Sequence, residues 1–452
     1  MAVISAQNEH NNGFNYFLLE SGNLKSKPSQ EGQTLWPRSL ARKWFVVLFL
    51  GTCLLYCARM AMPICAVTLA STFHWTKIDT GVVLGGFFWG YCITQILGGY
   101  VSDKIGGERV LLMSAASWGL ITAGTPLVTR FSSHALFLMT AARFLMGLLQ
   151  GVFFPSLASL CSHRVVKAER GFLMSILHSG TYLGTLVAGG LGSVMLQNYG
   201  WEYLFYCTGF VSGLWAFLIW YFLVKGRELP KQKQRANGPH QSKTRWLSFI
   251  KKSSVWSMMI AHTCAASTFY TLLSWLPTYF EESFPNAKGG VYNTVPWIAA
   301  IPASLFGGYA SDFLITKGYP VVYVRKFMQA IAMGIPVLFI LPMSNTITLS
   351  TAVTLTTVAI AATTFTSGGV AVNVQDLTPS CAGALYGFMN MMGALSGVVT
   401  VSLSGYLIEV TQTWATVFSL VALINLSGLG VYLIFGDAQR LDQHSYSPVT
   451  VI

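Results

Sequence analysis

The feature that most restricts how this chain can fold is a series of apolar runs about twenty residues long. They recur twelve times, at roughly 44–69, 80–102, 109–129, 135–161, 172–195, 201–224, 254–280, 292–315, 325–342, 347–372, 382–406 and 412–435. A run of that length matches the hydrocarbon thickness of a bilayer. Inside lipid the backbone must satisfy its own hydrogen bonds, so each run is expected to be a helix. The expected fold is therefore an all-α membrane protein with twelve transmembrane helices. Composition agrees, since 53% of the residues are hydrophobic and 10% charged, against about 25% charged in a soluble domain. Glycine is frequent in the runs, which suits close helix packing. Residues 1–43 are polar, lack the pattern of a signal peptide and read as a disordered cytosolic tail. Residues 436–452 read as a second tail.

Between the sixth and seventh runs lies VKGRELPKQKQRANGPHQSKTRWLSFIKK, with nine Lys or Arg and the single acid Glu228. It divides the chain into an N-terminal bundle (44–224), a basic loop (225–253) and a C-terminal bundle (254–435). With both termini and this loop on one side, the opposite loops hold Lys77, Arg130 and Lys288, and the membrane holds Arg59 and Arg143. The other 23 of the 28 Lys and Arg fall on the side of the tails. The positive-inside rule makes that side cytosolic. The net charge of +12 is thus a topology signal, and binding to nucleic acid is excluded as its explanation. The eight cysteines show no metal-ligand spacing and lie mostly in apolar runs, as packing residues do.

The two bundles repeat one another. GGYVSD at 98–103 follows the second run and GGYASD at 307–312 follows the eighth; Gly171 and Gly383 open matching fifth and eleventh runs. The two offsets, 209 and 212 residues, agree closely. Two pseudo-symmetric six-helix bundles joined by a central loop are the plan of the major facilitator fold, with the substrate site between the halves. The stretch GGYVSDKIGGERV resembles the signature loop of that superfamily. There Gly98 and Gly106 are expected to allow close packing and Asp103 to cap and pair, and Gly307 and Asp312 belong to the matching motif of the second half.

Arg59 and Arg143 pose the functional question. They lie ~22 Å and ~27 Å from the cytosolic ends of the first and fourth runs at 1.5 Å per residue, and all sixteen Asp and Glu fall in tails, loops or helix ends. An arginine at membrane depth is costly and usually has an acidic partner. Either helix carbonyls, hydroxyls and water satisfy these two, or the missing anion is the cargo. A guanidinium donates two parallel hydrogen bonds to phosphate or carboxylate and stays charged, so two of them suit a polyvalent anion. Gly147 and Gln150 share the helix face of Arg143, offering room and neutral hydrogen bonds. Tyr56, Tyr270 and Trp275 could wall a base, and Thr364, Thr366 and Ser367 could hydrogen-bond it. His178 and His262 are the histidines within runs, each more easily read as packed than as a proton relay. The sequence shows no nucleophile–base pair, metal cluster or phosphate loop, so an enzyme is disfavoured. Without a titratable acid in the cavity, the simplest mechanism is electrogenic uniport of an anion.

Several stretches carry a closer resemblance, among them LGTCLLYCAR, GGFFWGYCITQILGGYVSDKIGGE, RFLMGLLQGVFFPSLASL, LLSWLPTYFEESFPNAKG, VPWIAAIPASLFGGYASD and VNVQDLTPSCAGALYGF. From about Arg42 to Arg440 the chain resembles the nucleotide branch of the vesicular anion carriers, the family of the vesicular glutamate, sialate and type I phosphate carriers. The resemblance implies uptake of ATP, ADP and GTP into secretory and synaptic vesicles and lysosomes, driven by membrane potential. It also implies sensitivity to chloride, with no bound cofactor and with both termini cytosolic. Arg143 matches the family's fourth-span arginine and Arg59 its first-span arginine. Where the glutamate branch has an acid, a histidine and a further arginine, this chain has Gln150, Leu84 and a position near Ala265. Loss of the acid and histidine removes proton-linked groups. Other readings are a carrier of a smaller organic anion or phosphate, and a non-transporting nucleotide sensor on a carrier fold. YSPV at Tyr446–Val449 resembles a sorting signal.

Overall fold

In the computed structural model the described residues are 36, 38–130, 134–164, 170–221, 251–345, 348–377 and 382–441. Most of the amino-terminal tail, nearly all of the basic loop and the YSPV stretch lie outside the described residues. The N-terminal half comprises α1 (Arg38–Phe73), α2 (Lys77–Ile105), α3 (Gly107–Arg130), α4 (Ala135–Gly151), α5 (Phe153–Arg164), α6 (Arg170–Tyr199) and α7 (Trp201–Ile219). The C-terminal half comprises α8 (Ser253–Ser283), α9 (Gly289–Tyr292), α10 (Val295–Thr316), α11 (Val321–Ile340), α12 (Leu349–Thr363), α13 (Val370–Leu377), α14 (Ala382–Thr411) and α15 (Ala415–Phe435). Nine helical stretches among the described residues are long and apolar enough to cross a membrane. Helices α2, α6 and α8, at 29, 30 and 31 residues, complete twelve spans.

The fourth span is one helix interrupted between α4 and α5. Pro155 has no N–H for the Gly151 carbonyl four residues back, so the regular ladder breaks there. The tenth span is interrupted likewise, by a 3₁₀ turn at Thr364–Gly368 between α12 and α13.

The halves pack by the same scheme. In the first, α1 lies on α6, α2 on α4 and α3 on α7; in the second, α8 lies on α14, α10 on α12 and α11 on α15. Glycines set the closest approach. A Cβ on Gly90 would collide with the Phe144 carbonyl oxygen, and one on Gly147 with the Phe87 carbonyl oxygen. The space expected beside Gly147 is therefore taken by the α2 backbone, and that glycine serves helix packing.

The two halves meet mainly on the side away from the chain termini, called here the far side. Lys77 pairs with Glu282, and its backbone N–H donates to Glu409 Oε2 at 2.7 Å. Asn293 Nδ2 donates to Ser193 Oγ at 3.0 Å, and Ser402 Oγ to the Gly81 carbonyl at 3.5 Å. These hydrogen bonds between the halves all lie there. A cavity of about 420 Å³ lined by Trp75, Lys77, Glu282, Glu409 and Trp414 marks this seam.

On the side of the tails the repeated motif forms the end of a helix in each half. GGYVSD is the last two turns of α2, and Gly106, at φ 95°, ends that helix and leads straight into α3. A positive φ of this kind is open to glycine at little cost. Gly98 lies against Val152, whose Cα a Cβ would approach to 2.7 Å, and Gly307 lies against the ring of Phe365. The Asp103 side chain lies outside the described residues. Asp312 is exposed within α10, one turn before its end. The serine before each aspartate makes the link instead. Ser102 donates to Ser156 at 2.5 Å, and Ser311 donates to the Gly368 carbonyl at 3.2 Å.

Candidate functional site

Arg59 on α1 and Arg143 on α4 come together in the middle of the N-terminal half. They are 2% and 4% exposed, so both charges are removed from solvent. Their placement follows from local sequence. Pro63, four residues after Arg59, lacks the N–H that would bond the Arg59 carbonyl in a regular helix. Arg143 Nη1 points to that carbonyl at 3.4 Å. Gln150 lies two turns after Arg143 on α4. Its Oε1 accepts from Arg59 Nε at 3.3 Å, and its Nε2 donates to the Leu55 carbonyl at 3.2 Å. Gln150, expected as a substrate contact, thus spends both ends of its amide holding Arg59 in place.

Aromatic rings cover the rest. The Arg59 guanidinium carbon lies 4.5 Å from the Tyr56 ring centroid, 4.6 Å from Phe87 and 4.8 Å from Tyr91. Arg143 lies 4.9 Å from the same Phe87 ring. Ring faces attract a cation by about 0.5–2 kcal/mol each, enough to orient it but well short of an anionic partner. Among the described residues no carboxylate forms an ion pair with either arginine. Arg59 Nη1 and Nη2 and Arg143 Nε make no hydrogen bond to the protein. Each guanidinium carries five N–H donors, and most of these are left over.

The contrast with a third buried arginine is informative. Arg325 on α11 is 5% exposed. Its Nε donates to Asp376 Oδ2 at 2.8 Å and its Nη1 to Ser311 Oγ at 2.7 Å and the Gly368 carbonyl at 3.0 Å. Where an arginine fastens helices together in this protein, an acid and a carbonyl meet it. Arg59 and Arg143 have the opposite environment, a positive pair with nothing negative against it.

Tyr270 stands across the seam from this pair. Its ring lies 4.6 Å from that of Phe88 on α2, next to the Phe87 ring that both arginines face. Tyr56 and Tyr270 are thereby brought to the arginines. Trp275 is not, because its indole donates to the Val401 carbonyl at 2.9 Å within the packed C-terminal half. Nor are Thr364, Thr366 and Ser367. They form the 3₁₀ turn that packs on α10 and α11, where the Thr364 and Ser367 hydroxyls bond carbonyls of their own segment. His178 stacks on Phe154 at 5.0 Å. Phe87, Tyr91 and the Arg325–Asp376 pair escaped sequence reasoning. The signal for Tyr91 was its place one turn after Phe87 within FFWGY; for Asp376 it was the single charge in VNVQDL.

An all-helical fold of two matching six-helix halves, with a buried arginine pair in the first, defines the class. The chain belongs to the Major Facilitator Superfamily, whose family model matches residues 48–401. Among curated proteins it is similar to the voltage-gated purine nucleotide uniporter of Mus musculus, at 47% identity over 92% of this chain and 94% of that one. The voltage-gated purine nucleotide uniporter of Homo sapiens is 46% identical over 93% of this chain and 98% of its own length. More distant is the chloroplastic ascorbate transporter of Arabidopsis thaliana, 28% identical over 94% of this chain and 79% of that one. Among solved structures, a bacterial homolog of the human lysosomal transporter Spinster in an inward-facing, occupied conformation superposes with a TM-score of 0.69. It is 14% identical and covers 88% of this chain and 97% of that one, which is a likeness of fold.

Proposed function

We propose that this protein is a uniporter of purine nucleotide anions driven by membrane potential. The observation that carries this reading is the buried Arg59–Arg143 pair, whose donors outnumber their partners and which no internal carboxylate neutralises. Similarity to the voltage-gated purine nucleotide uniporters supports it. The nucleotide phosphates supply the missing negative charge. The arginines bind them through the forked hydrogen bonds that guanidinium makes with phosphate.

The energetics need no second ion. A charge crossing 100 mV releases about 2.3 kcal/mol, so ATP as a tetravalent anion releases about 9 kcal/mol. At about 1.4 kcal/mol per decade that exceeds a six-decade gradient. The seam closed on the far side corresponds to the half of an alternating-access cycle in which the site is reached from the side of the tails. We take that side to be cytosolic, since it holds most of the basic residues. On this reading the protein fills secretory vesicles and lysosomes with ATP, ADP and GTP. On the same reading, uptake is sensitive to chloride.

The test is uptake by purified protein in proteoliposomes under an imposed inside-positive potential, with ATP, glutamate and phosphate as competitors. The expected result is ATP uptake that ATP competes and glutamate and phosphate compete poorly. Uptake driven by a pH gradient alone, with the potential clamped at zero, overturns the uniport mechanism. Nucleotide binding without uptake favours a sensor.

A further inference from the structure

The arginines account for phosphate and leave the base unexplained. Opposite them, on the C-terminal half, is a neutral polar group that the phosphate site does not use. Asn390 on α14 faces His262 on α8, with Asn390 Oδ1 3.3 Å from His262 Nε2. His262 Nδ1 is buried and makes no hydrogen bond, and the Tyr386 ring lies 6.2 Å from the His262 ring. The three are brought together by helix periodicity. Tyr386, Asn390, Gly393 and Gly397 follow one another at three- and four-residue steps on one face of α14, and His262, Ala266 and Tyr270 do so on α8. Gly393 seats Ala266 and His262, and Gly397 seats Tyr270; a Cβ on Gly397 would lie 2.9 Å from the Tyr270 ring. This cluster reaches the arginine site through Tyr270, whose ring lies 4.6 Å from Phe88, the neighbour of the Phe87 ring that both arginines face.

We propose that Asn390, oriented by His262 and flanked by the Tyr270 and Tyr386 rings, is the subsite that selects a purine by donating a hydrogen bond to its N7. The proposal rests on the nucleotide reading given above and adds the residues that recognise the base. The chemistry runs as follows. Neutral His262 with its proton on Nε2 donates to Asn390 Oδ1, which fixes the amide and leaves its NH₂ group to donate elsewhere. Adenine and guanine both present N7 as an acceptor, whereas they differ at the neighbouring exocyclic group, amino in one and carbonyl in the other. A single amide donor at N7 therefore accepts both purines. Pyrimidines have no imidazole ring and offer no such acceptor at that edge. The surroundings suit a base better than a phosphate, for His262, Asn390, Tyr270 and Tyr386 carry no fixed charge, while the two arginines stand on the other half. One nucleotide then touches both halves, phosphates on the first and base on the second.

The test uses 7-deaza-ATP, in which N7 is replaced by C–H, against ATP in proteoliposomes of the full chain at fixed potential. The wild-type protein is expected to take up ATP about tenfold better, the worth of one well-placed hydrogen bond. Asn390→Ala should handle ATP and 7-deaza-ATP alike, near the wild-type level for 7-deaza-ATP, while tripolyphosphate inhibits it as strongly as it inhibits the wild type. Equal handling of the two nucleotides by the wild-type protein overturns the proposal, as does an Asn390→Ala variant that still tells them apart. Should Asn390→Ala not reach the membrane, Asn390→Asp keeps the size, removes the donor and is expected to lose the same discrimination. Failure of the underlying nucleotide reading looks different, with ATP uptake absent in the wild-type protein or indifferent to loss of Arg143. Retained, Arg143-dependent uptake with no preference for N7 sinks the base subsite alone.

Discussion

Gln150 shows how one neutral residue keeps a charged site open. Its amide oxygen meets Arg59 at 3.3 Å without neutralising it. A carboxylate of the same reach would do both, and the substrate phosphate would then meet a pair already satisfied on one side. Gln150→Glu is expected to weaken ATP uptake at least tenfold at neutral pH, because an added negative charge opposes the anion. Acidification that protonates the new carboxyl should restore part of it. Measuring ATP uptake at fixed potential across a pH series checks both parts, and an unchanged variant contradicts them. The two arginines were legible in the sequence because a fixed charge in an apolar run has few explanations. Their rings were less so, since an aromatic residue in a span is usually packing. Tyr56 was found by its position one turn from Arg59, whereas Phe87 and Tyr91 come from α2 and reach Arg59 only through the fold. Pro63 and the Arg59 carbonyl belong to the same category. The missing N–H is written in the sequence, but that Arg143 uses the freed carbonyl is a tertiary fact.

Among the helices, the contact of α2 with α4 positions Arg143 relative to Phe87, and it depends on glycine at both Gly90 and Gly147. Gly147→Leu forces a side chain into the Phe87 carbonyl and is expected to abolish folded protein rather than substrate affinity alone. Size-exclusion behaviour of the detergent-purified variant checks this, and a monodisperse, fully active variant contradicts it. The Arg325–Asp376 pair fastens α11 to α13 and, through Ser311, to α10. Arg325→Met leaves Asp376 without its cation and should cost about 3–5 kcal/mol of stability, read as a lower melting temperature. Replacing both partners by apolar residues should cost less. The twelve spans were legible because each apolar run must be a helix. The interruptions were harder to place. Pro155 was visible, yet the 3₁₀ turn at Thr364–Gly368 has no proline or charge to announce it. Its threonines were therefore expected in the cavity, when they pack against α10 and α11.

The whole molecule is two copies of one helical plan placed so that a positive pair in the first half faces neutral polar residues in the second. The internal repeat at 209 and 212 residues carried that plan in the sequence. The sequence did not say which end of the seam is closed, because that depends on contacts such as Lys77 with Glu282 and Glu409 between residues more than two hundred positions apart. A site of this kind moves net charge whenever the halves rock around it, so transport of a nucleotide should generate current. The most direct measurement of the central claim is ATP uptake by Arg143→Ala in proteoliposomes at fixed potential, normalised to folded protein, with Arg143→Lys beside it. If the arginine is held in the membrane for the substrate phosphate, Arg143→Ala loses uptake by about two orders of magnitude or more while folding normally, since no acid is left unpaired by the change. Arg143→Lys stays severely impaired, because an ammonium keeps the charge and loses the fork. Near-normal ATP uptake by well-folded Arg143→Ala would contradict the account and make the arginine a packing residue.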